Sequence, residues 1–250
     1  MARKPASASP AEPVAKAAPA DPRKGAVEAL MRLAASRPWD QIELGDIATE
    51  AGISLAALRG LFPSKLAMLG GLTRIVDDAV MAGASDDLAA EPARERMFDL
   101  VMRRLDALAP YKEGLRRIMP VVKRDPLTLA ALNRSAVNSW RYMLASAGIA
   151  TEDALGSVRV QGAVLLMARV TETWLDDNEP EMSKTMARLD RELKTAGRIM
   201  ARVEDVHRLT APLRGLARAL CSGRRPHIRR RERADDRYRG EDRDDYAPAI

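Results

Sequence analysis

Aromatic side chains make up only 4% of this 250-residue sequence, which has one cysteine and two histidines. Each scarcity excludes something. Cys221 stands alone in a polar, arginine-rich setting, so neither a disulfide framework nor a cysteine-based zinc site can form, and a reducing compartment fits. His207 and His227 are too few, too late and too isolated to supply a catalytic base or a metal site. No P-loop, no glycine-rich phosphate turn after a strand and no Ser/His/Asp set appears, so an enzyme is not expected, nor any cofactor or metal. No run approaches the roughly 18 apolar residues of a membrane span, and residues 1–22 hold no apolar signal core. A cytoplasmic protein without integral membrane association is expected. With few aromatics, the apolar load falls on Ala, Leu, Val and Met, which favour helix over sheet and point to an all-α fold.

The net charge of +6 invites a nucleic-acid reading. Much of that excess, however, comes from the tail between Arg224 and Arg243. Between Asp21 and Gly70 basic and acidic residues balance, so charge alone decides little.

Along the chain, residues 1–21 are Ala/Pro/Ser-rich without periodicity and read as a disordered arm. From Pro22, Val27, Leu30, Met31 and Ala34 recur at helical spacing until Pro38-Trp39-Asp40 breaks the pattern. Leu44, Ile47, Ala48 and Ala51 form a short stripe ending at Gly52, and Ser54 caps a further short helix, Leu55 to Phe62. A longer helix from Ser64 to about Ala84 links to helices expected near 91–109, 110–123 and 126–147, with prolines near their starts. Short loops imply antiparallel packing. Thr151 is expected to cap a helix running to about Asp176, apolar on nearly every side and therefore buried on two faces. Met182, Met186, Leu189, Leu193, Ala196, Met200 and Val203 then alternate spacings of four and three, the seam of a helix packed along a partner. Two such adjacent helices suit a homodimer interface, although completion of a monomeric core explains the same pattern. After Val206 a mixed-charge tail, 207–250, is expected to stay disordered.

The specific signal lies between Ile42 and Lys65, in IELGDIATEAGISLAALRGLFPSK. Asp46-Ile47-Ala48, Glu50-Ala51-Gly52-Ile53-Ser54, Leu58 and Phe62-Pro63-Ser64-Lys65 resemble, in order and spacing, the signature of TetR-type transcriptional regulators. The resemblance implies a three-helix helix-turn-helix domain, residues 22–70, followed by an antiparallel helical bundle, residues 71–206, for ligand binding and dimerisation. It implies a homodimer on double-stranded DNA, most simply a repressor, and an apolar small molecule or lipid as its ligand. The DNA-facing positions are then Ser54, Ala56, Ala57, Arg59, Gly60 and Lys65. Of these only Arg59 has the fork that reads a guanine edge, while Lys65 matches the family's phosphate-contacting lysine. Glu43 stands where a capping Thr or Ser is usual, and its carboxylate opposes phosphate.

A second resemblance covers Ala168 to Leu193. Trp174-Leu175-Asp176-Asp177, Glu179-Pro180, Thr185-Met186 and Leu189-Asp190-Arg191 are similar to the end of the accessory proteins of ubiquinone biosynthesis. That likeness implies the alternative of a TetR-fold lipid-binding protein that no longer binds DNA. The amphipathic C-terminal membrane helix such proteins can carry is replaced here by arginine and aspartate. Met102, Met119, Trp140, Met143, Met167 and Trp174, with Arg169 as a polar group, are candidates to line an apolar pocket; ordinary core filling explains each methionine equally well.

Overall fold

A computed structural model describes residues 21–83 and 90–210. Among them nine α-helices and no strand are present, so the expected all-α class holds. The arm before residue 21, the tail beyond 210, Cys221 and His227 lie outside the described residues. Contacts divide the chain at Glu204 into two units. The first unit holds every helix except the end of the last one; of the second, only that helix end is described.

Local chemistry sets the helix ends. Helix α1, Pro22–Ser36, begins where the Asp21 carboxylate accepts the Arg23 N–H at 2.9 Å, with Pro22 in the first turn. It buries Val27, Leu30, Met31 and Ala34, the stripe read from the sequence. A 3-10 turn at Trp39–Gln41 leads to α2, Leu44–Ala51, then to α3, Leu55–Leu61, and α4, Lys65–Ala82. The Ser64 hydroxyl caps α4 by accepting the Ala67 N–H at 3.2 Å. Helices α5, Ala93–Leu108, α6, Lys112–Arg124, α7, Pro126–Ser146, α8, Gly156–Asp176, and α9, Ser183–Leu209, complete the order. Helix α9 runs past the expected tail boundary at residue 206.

The helix before Asp176 starts later than expected. Thr151 caps nothing: its hydroxyl donates to Glu152 Oε1 at 3.3 Å, and α8 begins at Gly156. The chain folds back there so tightly that a Cβ on residue 156 would lie 1.9 Å from the Thr151 carbonyl oxygen, which only glycine avoids. The intervening turn is held by Asp153, whose carboxylate accepts the Leu155 N–H at 3.2 Å and the Arg159 guanidinium at 2.6 Å. The Arg159 hydrogen bond, above all, pulls the Asp153 pKa down.

In the first unit α1 packs against α2, α4 and α6, α4 against α5 and α7, and α7 against α8. Helix α6 comes close to α1 at Gly114, where a Cβ would sit 2.8 Å from the Met31 carbonyl oxygen. A polar cluster ties α4 to its neighbours. Asp77 on α4 bonds the Arg104 guanidinium from α5 and accepts the Ser139 hydroxyl from α7 at 2.8 Å. Arg104 in turn lies 5.5 Å over the ring of Trp140. Nearby, Arg103 donates to the Gly83 carbonyl at 3.0 Å, capping the end of α4.

Candidate functional site

The segment Leu44–Leu61 forms two short helices joined by a turn that the sequence specifies closely. Gly52 adopts φ +68°, the left-handed conformation that costs a β-carbon residue energy. The Ile53 N–H closes the turn on the Ala48 carbonyl at 3.0 Å. Ser54 then caps α3, its hydroxyl accepting the Ala57 N–H at 3.1 Å. Ile47, Ala48, Leu58 and Phe62 are buried, as their spacing demands, and fix the back of α3 against the module's core. On the N-cap of α2, the Glu43 N–H donates to the Asp46 carboxylate at 3.1 Å.

The opposite face of α3 is open. Ser54, Ala56, Ala57, Arg59 and Gly60 are all exposed, and Leu55 is exposed beside them. Arg59 makes no hydrogen bond or ion pair with any described residue. Several neighbouring cations are already engaged: Arg32 with Glu50 at 2.8 Å, Arg37 with Asp46 at 3.6 Å, and Arg23 stacked 4.7 Å over the Phe62 ring. Lys65 is more deeply committed. Its ammonium donates to the Trp39 carbonyl at 2.8 Å and the Ile42 carbonyl at 2.7 Å, and lies 4.8 Å over the Trp39 ring. One N–H remains for a phosphate. These partners, more than twenty residues away in sequence, gave no local signal.

Most of the candidate pocket residues belong to the core. Trp140, Met143, Met167 and Trp174 are buried in the core, Met102 and Met119 half-buried against it. A cavity of about 740 Å³ lies instead between α8 and α9, reaching the start of α5 and the end of α7. Its floor is Met97, Leu144, Leu166 and Leu193, and of the seven candidates only Arg169 lines it. On α8, Val158 and Leu165 are 43% and 51% exposed, and both line this slot. On α9 only Leu189 and Leu193 of the seam are buried, which leaves its second half open.

The Trp174–Asp177 stretch has a structural account. The Asp177 carboxylate, 1% exposed, accepts the Thr185 N–H at 2.9 Å and the Thr185 hydroxyl at 2.7 Å, holding the first turn of α9. The Thr185 hydroxyl chiefly holds its pKa below the ordinary carboxylate value. From α6, Lys112 donates to the Asp177 carbonyl at 2.6 Å and lies 5.0 Å over the Trp174 ring, while Arg116 donates to the Leu175 carbonyl at 2.9 Å. The stretch therefore pins the α8–α9 connection to α6. Among the described residues no group of three His, Cys, Asp or Glu side chains is placed to hold a metal, and no helix is long and apolar enough to cross a membrane.

No family model matches the chain. The nucleoid occlusion factor SlmA of Shewanella amazonensis is 28% identical over 97 residues, which are 39% of this chain and 49% of that protein. SlmA of Shewanella frigidimarina is 27% identical over the same length. The chain thus spans about half the length of the curated relatives it matches. Among solved structures, a TetR transcriptional regulator from Nitrosomonas europaea superposes with a TM-score of 0.57 at 22% identity, covering 71% of this chain and 99% of that one. A TetR regulator from Rhodococcus sp. RHA1 gives 0.51 at 16% identity, covering 70% and 95%. At near-complete coverage of these two regulators, the all-helical order with its helix-turn-helix at Leu44–Leu61 is that of one architecture: the chain has the TetR transcriptional-regulator fold.

Proposed function

We propose that this protein is a DNA-binding transcriptional regulator, in which α3 is the recognition helix and Arg59 its base-reading side chain. The observation that carries the reading is the exposed face of α3, set by the Gly52 turn and the Ser54 cap, with an Arg59 guanidinium that has no described partner. A planar fork with five donors reads guanine from the major groove, whereas small side chains at Ala56, Ala57 and Gly60 let the helix backbone approach the duplex. Lys65 serves first as a tie between α4 and the Trp39–Ile42 segment and offers its remaining donor to a phosphate.

In this proposal residues 22–70 bind DNA and residues 71–206 bind ligand and dimerise. A homodimer sets two recognition helices about 34 Å apart on a palindromic site. The exposed Val158 and Leu165 of α8 and Ile199 of α9 supply apolar surface for a second copy. A ligand that prefers the DNA-incompetent arrangement weakens DNA binding by the factor that DNA weakens ligand binding, and the regulator then acts as a repressor.

One observation favours a second reading: Leu55, Ala56, Ala57 and Gly60 make the α3 face largely apolar. A lipid-binding protein that kept the fold and lost DNA contact accounts for that face. Fluorescence anisotropy against the protein's own upstream DNA and scrambled DNA, at two salt concentrations, separates the two. A regulator binds upstream DNA selectively, and Arg59→Ala weakens it by roughly tenfold, as the loss of one bidentate base contact predicts. Equal, weak, steeply salt-dependent binding to both duplexes, unchanged in the variant, sinks the regulator and leaves the lipid-binding reading.

A further inference from the structure

The side chains of α3 restrict what it can read in a major groove. Leu55–Leu61 contains no Asn or Gln, the residues that pair with both the acceptor and the donor of adenine. It contains no Asp or Glu either, so nothing on it accepts from the cytosine amino group. Its one charged group is the Arg59 guanidinium, whose fork fits the two acceptors of guanine. Ser54, at the cap, already spends its hydroxyl oxygen on the Ala57 N–H. What remains legible to such a helix is the thymine 5-methyl group, which apolar side chains read by contact.

Placement favours that partner. Leu58, 1% exposed, marks the buried back of α3. Ala56 and Gly60 stand two residues to either side of it, roughly opposite on a helix of about 3.6 residues per turn, with Ala57 and Arg59 on the flanks. A Cβ added at Gly60 would meet nothing within 4 Å, so the space in front of this face is open. With nothing larger than a methyl at its centre, α3 can approach a groove floor until Ala56 and Ala57 touch the base edges, while the longer Arg59 reaches in from one side. The seven residues of α3 span about 10 Å. At roughly 3.4 Å each that covers about three base pairs, so the guanine and the thymines lie in one short run.

We propose that α3 reads a guanine through Arg59 and, beside it, the 5-methyl groups of thymines through the methyls of Ala56 and Ala57. The apolar character of this face then has a partner in the duplex itself. This rests on the DNA-binding reading above and adds the bases that are read.

The full chain is used to select duplexes from a random-sequence pool. Anisotropy then follows the selected duplex with single thymines replaced by deoxyuridine, which removes the 5-methyl alone. Uracil at a contacted thymine should weaken binding by about fourfold, the free energy of one buried methyl at 25 °C. Replacing the guanine by 7-deazaguanine, which lacks one of the two acceptors, should weaken it by about tenfold. Ala56→Gly or Ala57→Gly should bring the thymine-to-uracil ratio at one position to about one and keep the 7-deazaguanine effect. Arg59→Ala should do the reverse. Each ratio compares two duplexes on the same protein, so a change in the variant's stability cancels. A selected site without thymine, binding unchanged by uracil at every thymine, or a ratio that survives in both glycine variants overturns the proposal and leaves the regulator standing. No selected sequence, with equal binding to all duplexes, removes the regulator as well and leaves the lipid-binding reading.

Discussion

Gly114→Ala tests the contact on which α1 and α6 approach each other. The added methyl would sit 2.8 Å from the Met31 carbonyl oxygen and 2.8 Å from the Met31 methyl carbon. The methionine tip can swing aside; the carbonyl belongs to the α1 backbone and moves only with the helix. A carbon and a carbonyl oxygen in ordinary contact stay about 3.3 Å apart or more, so α1 must retreat by about 0.5 Å along its packed face. Overpacking of this kind costs about 1–3 kcal/mol, and the helical gain of alanine over glycine offsets about 0.5–1 kcal/mol of it. A net loss of about 0.5–2 kcal/mol remains, equivalent to a melting temperature lower by about 2–6 °C for a chain of this size. Urea and thermal unfolding followed by circular dichroism, at one fixed protein concentration, read it directly. Gly162→Ala is the matched control, because its new methyl meets nothing within 4 Å; it should gain about 0.5–1 kcal/mol. A Gly114→Ala protein as stable as the native chain would show that α1 does not press on α6 as described.

Asp77→Ala leaves the Arg104 side chain, only 7% exposed, without its carboxylate and removes the acceptor of Ser139. A loss of about 3–5 kcal/mol in the urea-unfolding free energy is expected, and a loss below about 1 kcal/mol would contradict an integral buried pair. The pH dependence of unfolding checks Asp177. Its folded pKa is depressed, so its stabilisation is present above the ordinary value of 3.8 and disappears as pH falls through the folded value. Asp177→Asn should be less stable at neutral pH and show a shallower acid limb; an unchanged limb would mean that the carboxylate carries none of it.

Helix identity was legible wherever local chemistry chose it. Gly52, Ser54, Ile47, Leu58 and Phe62 behave as their spacing required, because turn, cap and amphipathic stripe are short-range properties. What depended on distant partners was not legible. Lys65 is spent on carbonyls of another segment, and the start of α8 is set by a fold-back at Gly156 rather than by a hydroxyl at Thr151. The methionines and tryptophans expected to line a pocket are core, Trp140 and Trp174 each facing a cation from a different helix. The cavity beside α8 and α9 arises from the spacing of those helices, which composition does not encode.

The two ends of α4 are held by different parts of the molecule. At one end Lys65 fastens the helix to the Trp39–Ile42 segment, so the entry to α2 and the first turn of α4 move together. At the other, Arg103 and Arg104 grip its last turns through Gly83 and Asp77. Helix α4 has eighteen residues, a rod of about 27 Å. Pivoting that rod by about 5° about its Gly83 end carries the lysine-held end through about 2 Å, several times the spread of about 0.5 Å in ordinary hydrogen-bond lengths. Helix α4 is thus a lever: a displacement of a few tenths of an ångström at Asp77, close to the Gly83 pivot, arrives enlarged at the Trp39–Ile42 segment that leads into α2.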